Sequence, residues 1–224
     1  MNIIKQFFFK EFKFTNRTID QETFVVMDTE TTGLNSHLQD KILSVAAIKT
    51  NYKEIKNEIY DQLIDPQRSI PETSTKIHGI TEKDVKGKPI LKEVEKNLTS
   101  FLSSHTLVGH NIAFDLTFLK DGLKGTPIIK TIKQNPVLDT LLLSGVLYPN
   151  LESHELSFLC KQFNIEEQNR HTAIGDVMMT AKLMFKLIED ARKIKGVKTI
   201  CDLIYITRQA KHYRQLQKES FEIH

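Results

Sequence analysis

The stretch FVVMDTETTGL, Phe24 to Leu34, decides how the rest of this chain is read. Phe24–Met27 have the composition of a buried strand, and they run straight into two carboxylates one residue apart. Residues i and i+2 of a strand point to the same face. If Asp28 and Glu30 keep that geometry, their like charges crowd together at the end of a buried element. A proton or a cation between them relieves the repulsion. A solvated strand-end turn is the bland alternative, and it would also have to explain Thr29, Thr31, Thr32 and Gly33. The pattern points to metal.

Outward from this stretch the chain alternates. Ile42–Ile48 reads as a second strand and Ile55–Ile64 as a third, ended by Asp65 and Pro66. The segment DPQRSIPETSTKIHGIT reads as an irregular loop. Ile90, Val94, Leu98, Phe101 and Leu102 recur at helical spacing behind Pro89. TLVGH (106–110) is a short buried strand feeding a helix, NIAFDLTFLKDGL. A polar linker then precedes NPVLDTLLLSGVL, a strand edge followed by an apolar helix. Ser153 is placed to cap the next helix. A long helix, Ala173–Arg192, carries Val177, Ala181, Met184, Leu187, Ile188 and Ala191 on one stripe. Three early strands followed by strands mixed with helices predict an α/β domain with a mixed sheet.

The chain has 224 residues, 40% of them hydrophobic, enough for one sizeable core. Its formal net charge of +3 is unevenly spread. Residues 192–224 hold eight Lys/Arg against three Asp/Glu, whereas residues 21–190 hold 19 basic and 23 acidic side chains. The basic end reads as a solvated helix face, with nucleic-acid contact as the functional alternative. Cys160 and Cys201 show neither metal nor redox spacing, which suits packing in a reducing compartment. No apolar run is long enough to span a bilayer, and Lys5, Lys10, Glu11 and Lys13 interrupt the apolar start, so neither an anchor nor a signal peptide is expected. The expected location is the cytoplasm.

Further acids sit where acids are hard to place. Asp115 lies on a largely apolar helix, Asp139 ends an apolar run, and Asp176 lies one turn into the long helix, five residues after His171. Each has a bland reading alone: a solvated helix position for Asp115, a macrodipole-favoured acid for Asp176, a surface imidazole for His171. Together, four carboxylates and one histidine make physical sense as the site of a phosphodiester hydrolase. Mg²⁺ and Mn²⁺ prefer carboxylate oxygen. Two such ions about 3.5–4 Å apart clamp the attacking and leaving oxygens of an in-line displacement. A histidine with pKa near ~6.5 is poised to take the proton of the attacking water.

DTETTGL (Asp28–Leu34), LVGHNIAFDLTFL with Asp115, and HTAIGDVMMTAKL with His171 and Asp176 resemble the three motifs of the DEDDh 3′→5′ exonucleases. Within that group the chain most resembles the proofreading (epsilon, DnaQ-like) subunit of bacterial DNA polymerase III. The likeness covers roughly Glu22–Ile188. It implies a ribonuclease-H-like fold, with a five-stranded mixed sheet flanked by helices. It also implies two-ion (Mg²⁺ or Mn²⁺) hydrolysis that releases nucleoside 5′-monophosphates from single-stranded or frayed 3′ ends. Asp28, Glu30, Asp115 and Asp176 would bind the metals, and His171 would be the general base. Thr31, Leu34, His78, His110, Asn111 and Phe114 would approach the terminal nucleotide, although Phe114 also reads as a core residue. Asp139 would play a supporting role, orienting its helix.

The expected organisation is an N-terminal extension (1–21), an exonuclease domain (22–190) and a basic helical tail (191–224). A histidine five residues before Asp176 separates the chain from the tyrosine-bearing DEDDy branch. The threonines of DTETTG favour DNA over RNA. No Gln-x-x-aliphatic-x-Phe segment follows Ile188, which puts a sliding-clamp contact in doubt, while a polymerase subunit stays open as a partner. Two other readings compete: an RNA-trimming exonuclease of the ribonuclease T or oligoribonuclease kind, and a non-catalytic binding subunit.

Overall fold

The computed structural model describes residues 17–167 and 171–221. Five strands form one mixed sheet: β1 (Phe24–Thr31), β2 (Ile42–Thr50), β3 (Ile55–Leu63), β4 (Thr106–Gly109) and β5 (Val137–Asp139), in the order β3-β2-β1-β4-β5. β1 pairs antiparallel with β2 and parallel with β4, and β4 pairs parallel with β5. The five-stranded mixed sheet expected from the resemblance is present. β1 is the strand at which the sheet changes from antiparallel to parallel. The carboxyl ends of β1, β4 and β5 therefore share one edge, where open α/β sheets place their ligands.

Nine α-helices accompany the strands among the described residues. α1 (Glu72–His78), α2 (Glu82–Val85) and α3 (Leu91–Leu102) lie between β3 and β4. α4 (Ala113–Gly122) and α5 (Ile128–Gln134) lie between β4 and β5. α6 (Thr140–Leu147), α7 (Leu156–Gln162), α8 (Ala173–Lys195) and α9 (Ile200–Phe221) come after β5.

Strand alternation divides the core in two. Val25, Met27, Val45, Ala47 and Leu107 face one way and pack with residues of α3, α4 and α5, such as Leu98, Leu119 and Ile128. Phe24, Val26, Ala46, Ile48 and Val108 face the other way and pack with residues of α6 to α9, such as Leu143, Val177, Leu187 and Leu203. A strand covered on both faces needs no polar side, which is why Phe24–Met27 is uninterrupted.

Several expectations need correction. Part of the stretch read as an irregular loop is helical: α1 starts after Pro71 with Glu72 in its first turn and ends on Gly79 at φ +75°, the proline-start, glycine-stop pattern of short helices. α5 occupies the segment read as a polar linker. Ser153 is not a helix cap. Its hydroxyl accepts from Glu155 N at 3.2 Å, and Glu155 holds the N-cap position without a side-chain bond.

The long helix runs three residues beyond Arg192. The chain past its end does not begin as a solvated tail, because Val197, Ile200, Leu203 and Ile204 are buried in the second core. Most of the expected N-terminal extension lies outside the described residues. Its last part is packed: Ile19 is fully buried, and Thr18 forms an isolated antiparallel bridge with Thr199. Ile19 N donates to Lys198 O at 3.2 Å, and Ile200 N to Arg17 O at 3.1 Å. Among the described residues, no helix is long and apolar enough to cross a membrane.

Candidate active site

Both opening acids lie inside β1, which extends to Thr31, so they keep the i, i+2 relation of a strand. Asp28 pairs with Ala46 and Glu30 with Ser44. The register then slips, and Thr31 pairs with Ile42, skipping Leu43. A bulge at this point bends the strand end away from regular pairing.

Asp176 comes from the first turn of α8, on the same side of the sheet. Thr172 caps that helix, its hydroxyl accepting from Gly175 N at 3.1 Å, while Asp176 N donates to Thr172 O at 3.0 Å. Asp28, Glu30 and Asp176 each offer a carboxylate oxygen, and the three oxygens lie within 4.8 Å of one another. Three hard oxygen donors at that separation fit a divalent cation of the Mg²⁺ or Mn²⁺ type.

Asp115 arrives from the opposite face. It sits in the first turn of α4, is 3% exposed, and accepts from Thr29 Oγ1 at 2.7 Å. Thr29 is the residue between the two opening acids, pointing to the other side of the strand. Burial pushes the Asp115 carboxyl up to about 7, the bond from Thr29 opposes that rise, and the charge of Asp139 adds to it. The structure thus brings three of the four expected acids into one cluster. It seats the fourth on the threonine that separates the other two.

His171 is exposed, at φ +63°, immediately before the Thr172 cap. It stands outside the three-acid cluster, in a left-handed conformation that histidine tolerates better than most residues.

Beside the acids runs a cleft of about 420 Å³, lined among others by Glu30, Thr31, Leu34, His78 and Phe114. Four of the six residues expected at the terminal nucleotide meet here. Leu34 is 86% exposed at the rim. Phe114 leans on Phe118, ring centroids 4.7 Å apart, and also lines the cleft. His78 ends α1, and its Nδ1 accepts from Ile80 N at 3.0 Å, which puts the proton of the neutral ring on Nε2. Burial lowers its pKa, with a smaller opposing influence from the Thr31 backbone, so His78 is a neutral donor near pH 7.

His110 and Asn111 do not line this cleft. They belong to the turn between β4 and α4, held by Asp139. The Asp139 carboxylate accepts from Asn111 N at 3.0 Å and from Leu141 N at 3.0 Å, so it caps α6 and secures Asn111 at φ +65°. Thr140 Oγ1 donates to Gly109 O at 3.2 Å and lies 2.9 Å from His110 Nδ1. With the hydroxyl proton so used, His110 Nδ1 carries the proton of that contact.

Sequence reasoning missed Ser74, Pro71, Thr73 and Ile77 of the cleft wall, together with Asp40. Pro71 and Gly79 bracketing a short segment were the available signal for the first four.

Comparison with known proteins gives the family. The family model RNase_T, described as Exonuclease, matches residues 25–184. A DNA polymerase III subunit epsilon-like protein of Rhodobacter capsulatus is 39% identical over 202 residues, covering 89% of this chain and 28% of that protein. The PolC-type DNA polymerase III of Bacillus subtilis is 36% identical over 182 residues, covering 81% of this chain and 12% of its own length. The chain therefore spans about a quarter or less of these relatives.

Among solved structures, exonuclease X in complex with 5′ overhanging duplex DNA superposes with a TM-score of 0.63 at 26% identity. The match covers 82% of this chain and 99% of that one. The nuclease domain of 3′hExo, a DEDDh family member bound to rAMP, shares the fold with a TM-score of 0.65 at 13% identity, over 75% and 92% of the two chains.

Proposed function

This chain belongs to the RNase_T exonuclease family, in its DEDDh, polymerase III epsilon-like branch, and on that footing we propose that it shortens DNA from the 3′ end. The products are nucleoside 5′-monophosphates. The observation that carries the reading is the meeting of Asp28, Glu30 and Asp176 beside a cleft of about 420 Å³.

Asp28, Glu30 and Asp176 would hold one divalent ion, Mg²⁺ or Mn²⁺, and Asp115 would reach a second from the other face of the strand. When bound, the pair supplies charge neutralisation at the scissile phosphate and at the leaving oxygen. The remaining work belongs to side chains. His171 takes the proton of the attacking water as general base. Its position at the mouth of α8, just ahead of Asp176, supports that role. In the cleft, Leu34 and Phe114 offer apolar surface to the terminal base, and the neutral Nε2–H of His78 is a hydrogen-bond donor beside the Thr31 main chain. Recognition of this kind reads backbone and stacking with little sequence preference. A DNA polymerase subunit is the proposed class of protein partner, supported by the polymerase names of the relatives.

The test is digestion of 5′-labelled oligomers, DNA against RNA and single against double strand, with Mg²⁺, Mn²⁺ or chelator. The expected result is ion-dependent shortening from the 3′ end, fastest on single-stranded or frayed DNA. Faster RNA digestion would transfer the assignment to an RNA-trimming enzyme. No cleavage with either ion would leave a binding subunit.

A further inference from the structure

The turn Thr31–Leu34 forms one wall of the cleft, and its glycine is unusual. Gly33 lies outside the left-handed region, so torsional freedom does not explain it. Space does. A Cβ on Gly33 would overlap the Asp40 carboxylate, 2.6 Å from its Cγ and 2.7 Å from Oδ1.

Asp40 is fastened in place. Its Oδ1 accepts from Thr32 Oγ1 and from Arg68 Nη1, each at 3.2 Å, and its Oδ2 accepts from Asn35 N at 3.1 Å. Arg68 also donates to Gln39 O at 2.7 Å, closing the loop around the carboxylate. Thr32 Oγ1 accepts in turn from Lys41 N at 3.0 Å. From the far wall, Ser74 of α1 donates to Thr32 O at 2.8 Å. The Asp40 side chain is 18% exposed and that of Arg68 34%, so water screens the pair only in part.

We propose that Asp40, held by Arg68 and seated against Gly33, is a positioning residue that sets the width of the cleft between the Thr31–Leu34 turn and α1. It touches no reacting atom. It acts through the turn that carries Leu34 and comes directly after Glu30, and so governs how firmly the terminal nucleotide is gripped. The substrate side of this inference rests on the exonuclease reading; the seat of Gly33 on Asp40 does not.

The test has two arms. In thermal melting, Gly33→Ala alone should lower Tm clearly, and the same change in an Asp40→Ala background should lower it much less, because the space is vacated. Additive losses would overturn the seat. In kinetics on a single-stranded DNA oligomer, Arg68→Ala should raise KM about tenfold, the equivalent of loosened binding, with kcat within about twofold, and Arg68→Lys should recover part of the loss. A fall in kcat at unchanged KM, or no change in either, would overturn the positioning role. If the unaltered protein cleaved nothing, the exonuclease reading would fall, and the melting arm would still uphold or overturn the seat.

Discussion

The two faces of β1 handle the same problem, a carboxylate at a buried strand end, in opposite ways. On the α8 face, Asp28, Glu30 and Asp176 stand together, half-buried or buried, with like charges a few ångströms apart. On the α4 face Asp115 is buried and bonded by Thr29, its pKa lifted to about 7 chiefly by burial. The first arrangement stores repulsion that a cation relieves. The second stores desolvation that a proton relieves. One strand with a two-residue period therefore presents a cluster of three acids on one side and a deeply buried carboxyl on the other.

The contrast can be broken most severely on the α8 face. Asp28→Ala or Asp176→Ala should lower kcat/KM by about a thousandfold, corresponding to ~4 kcal/mol of lost transition-state stabilisation. A steady-state digestion assay reads this directly, and calorimetric Mn²⁺ titration should show weakened binding in parallel. His171→Ala should cost about a hundredfold in kcat, in the range of a lost general base, while Mn²⁺ binding persists.

On the α4 face the effects are smaller. Thr29→Val removes the bond that holds the Asp115 carboxylate, a loss of about 1.5–3 kcal/mol for a bond to a charged group. Activity should fall about tenfold, and the acidic limb of the pH–rate profile should move to higher pH. The subtlest test uses Asp115→Asn in chelator. Asp115 has a folded pKa raised from 3.8 to about 7. Its stabilising protonated form is fully present below pH ~3.8 and is lost as pH rises through about 7. The asparagine variant should therefore match the parent at pH 4 and melt several degrees higher at pH 8. Equal melting at both pH values would show that Asp115 is not the buried titrating acid.

The first face was legible from the chain and the second was not. Alternation along Phe24–Glu30 places Asp28 and Glu30 on one side, and the 3.6-residue stripe of the long helix orients Asp176 toward the sheet. Nothing in either period says that the helix bearing Asp115 docks on the other side, because that depends on the right-handed crossing from β4 to β5, the connection that contains it. The short helices α1 and α5 escaped for a related reason. Segments of seven residues are marginal alone and are held by packing of Ser74, His78, Ile128 and Ile132, which local propensity does not register. His110 and Asn111 read as substrate contacts by their place in a motif. The left-handed conformation of Asn111 and the Asp139 carboxylate that holds its amide are backbone facts with no side-chain signature.

The bridge between Thr18 and Thr199 joins stretches of chain about 180 residues apart in sequence. The amides of Ile19 and Ile200 donate across it, and Arg192 adds an ion pair to Asp20 at 2.9 Å. Neither segment can detach without uncovering the other. Their amide protons should consequently exchange with solvent at a common rate, as one cooperative unit, however far the flanking chain extends on either side.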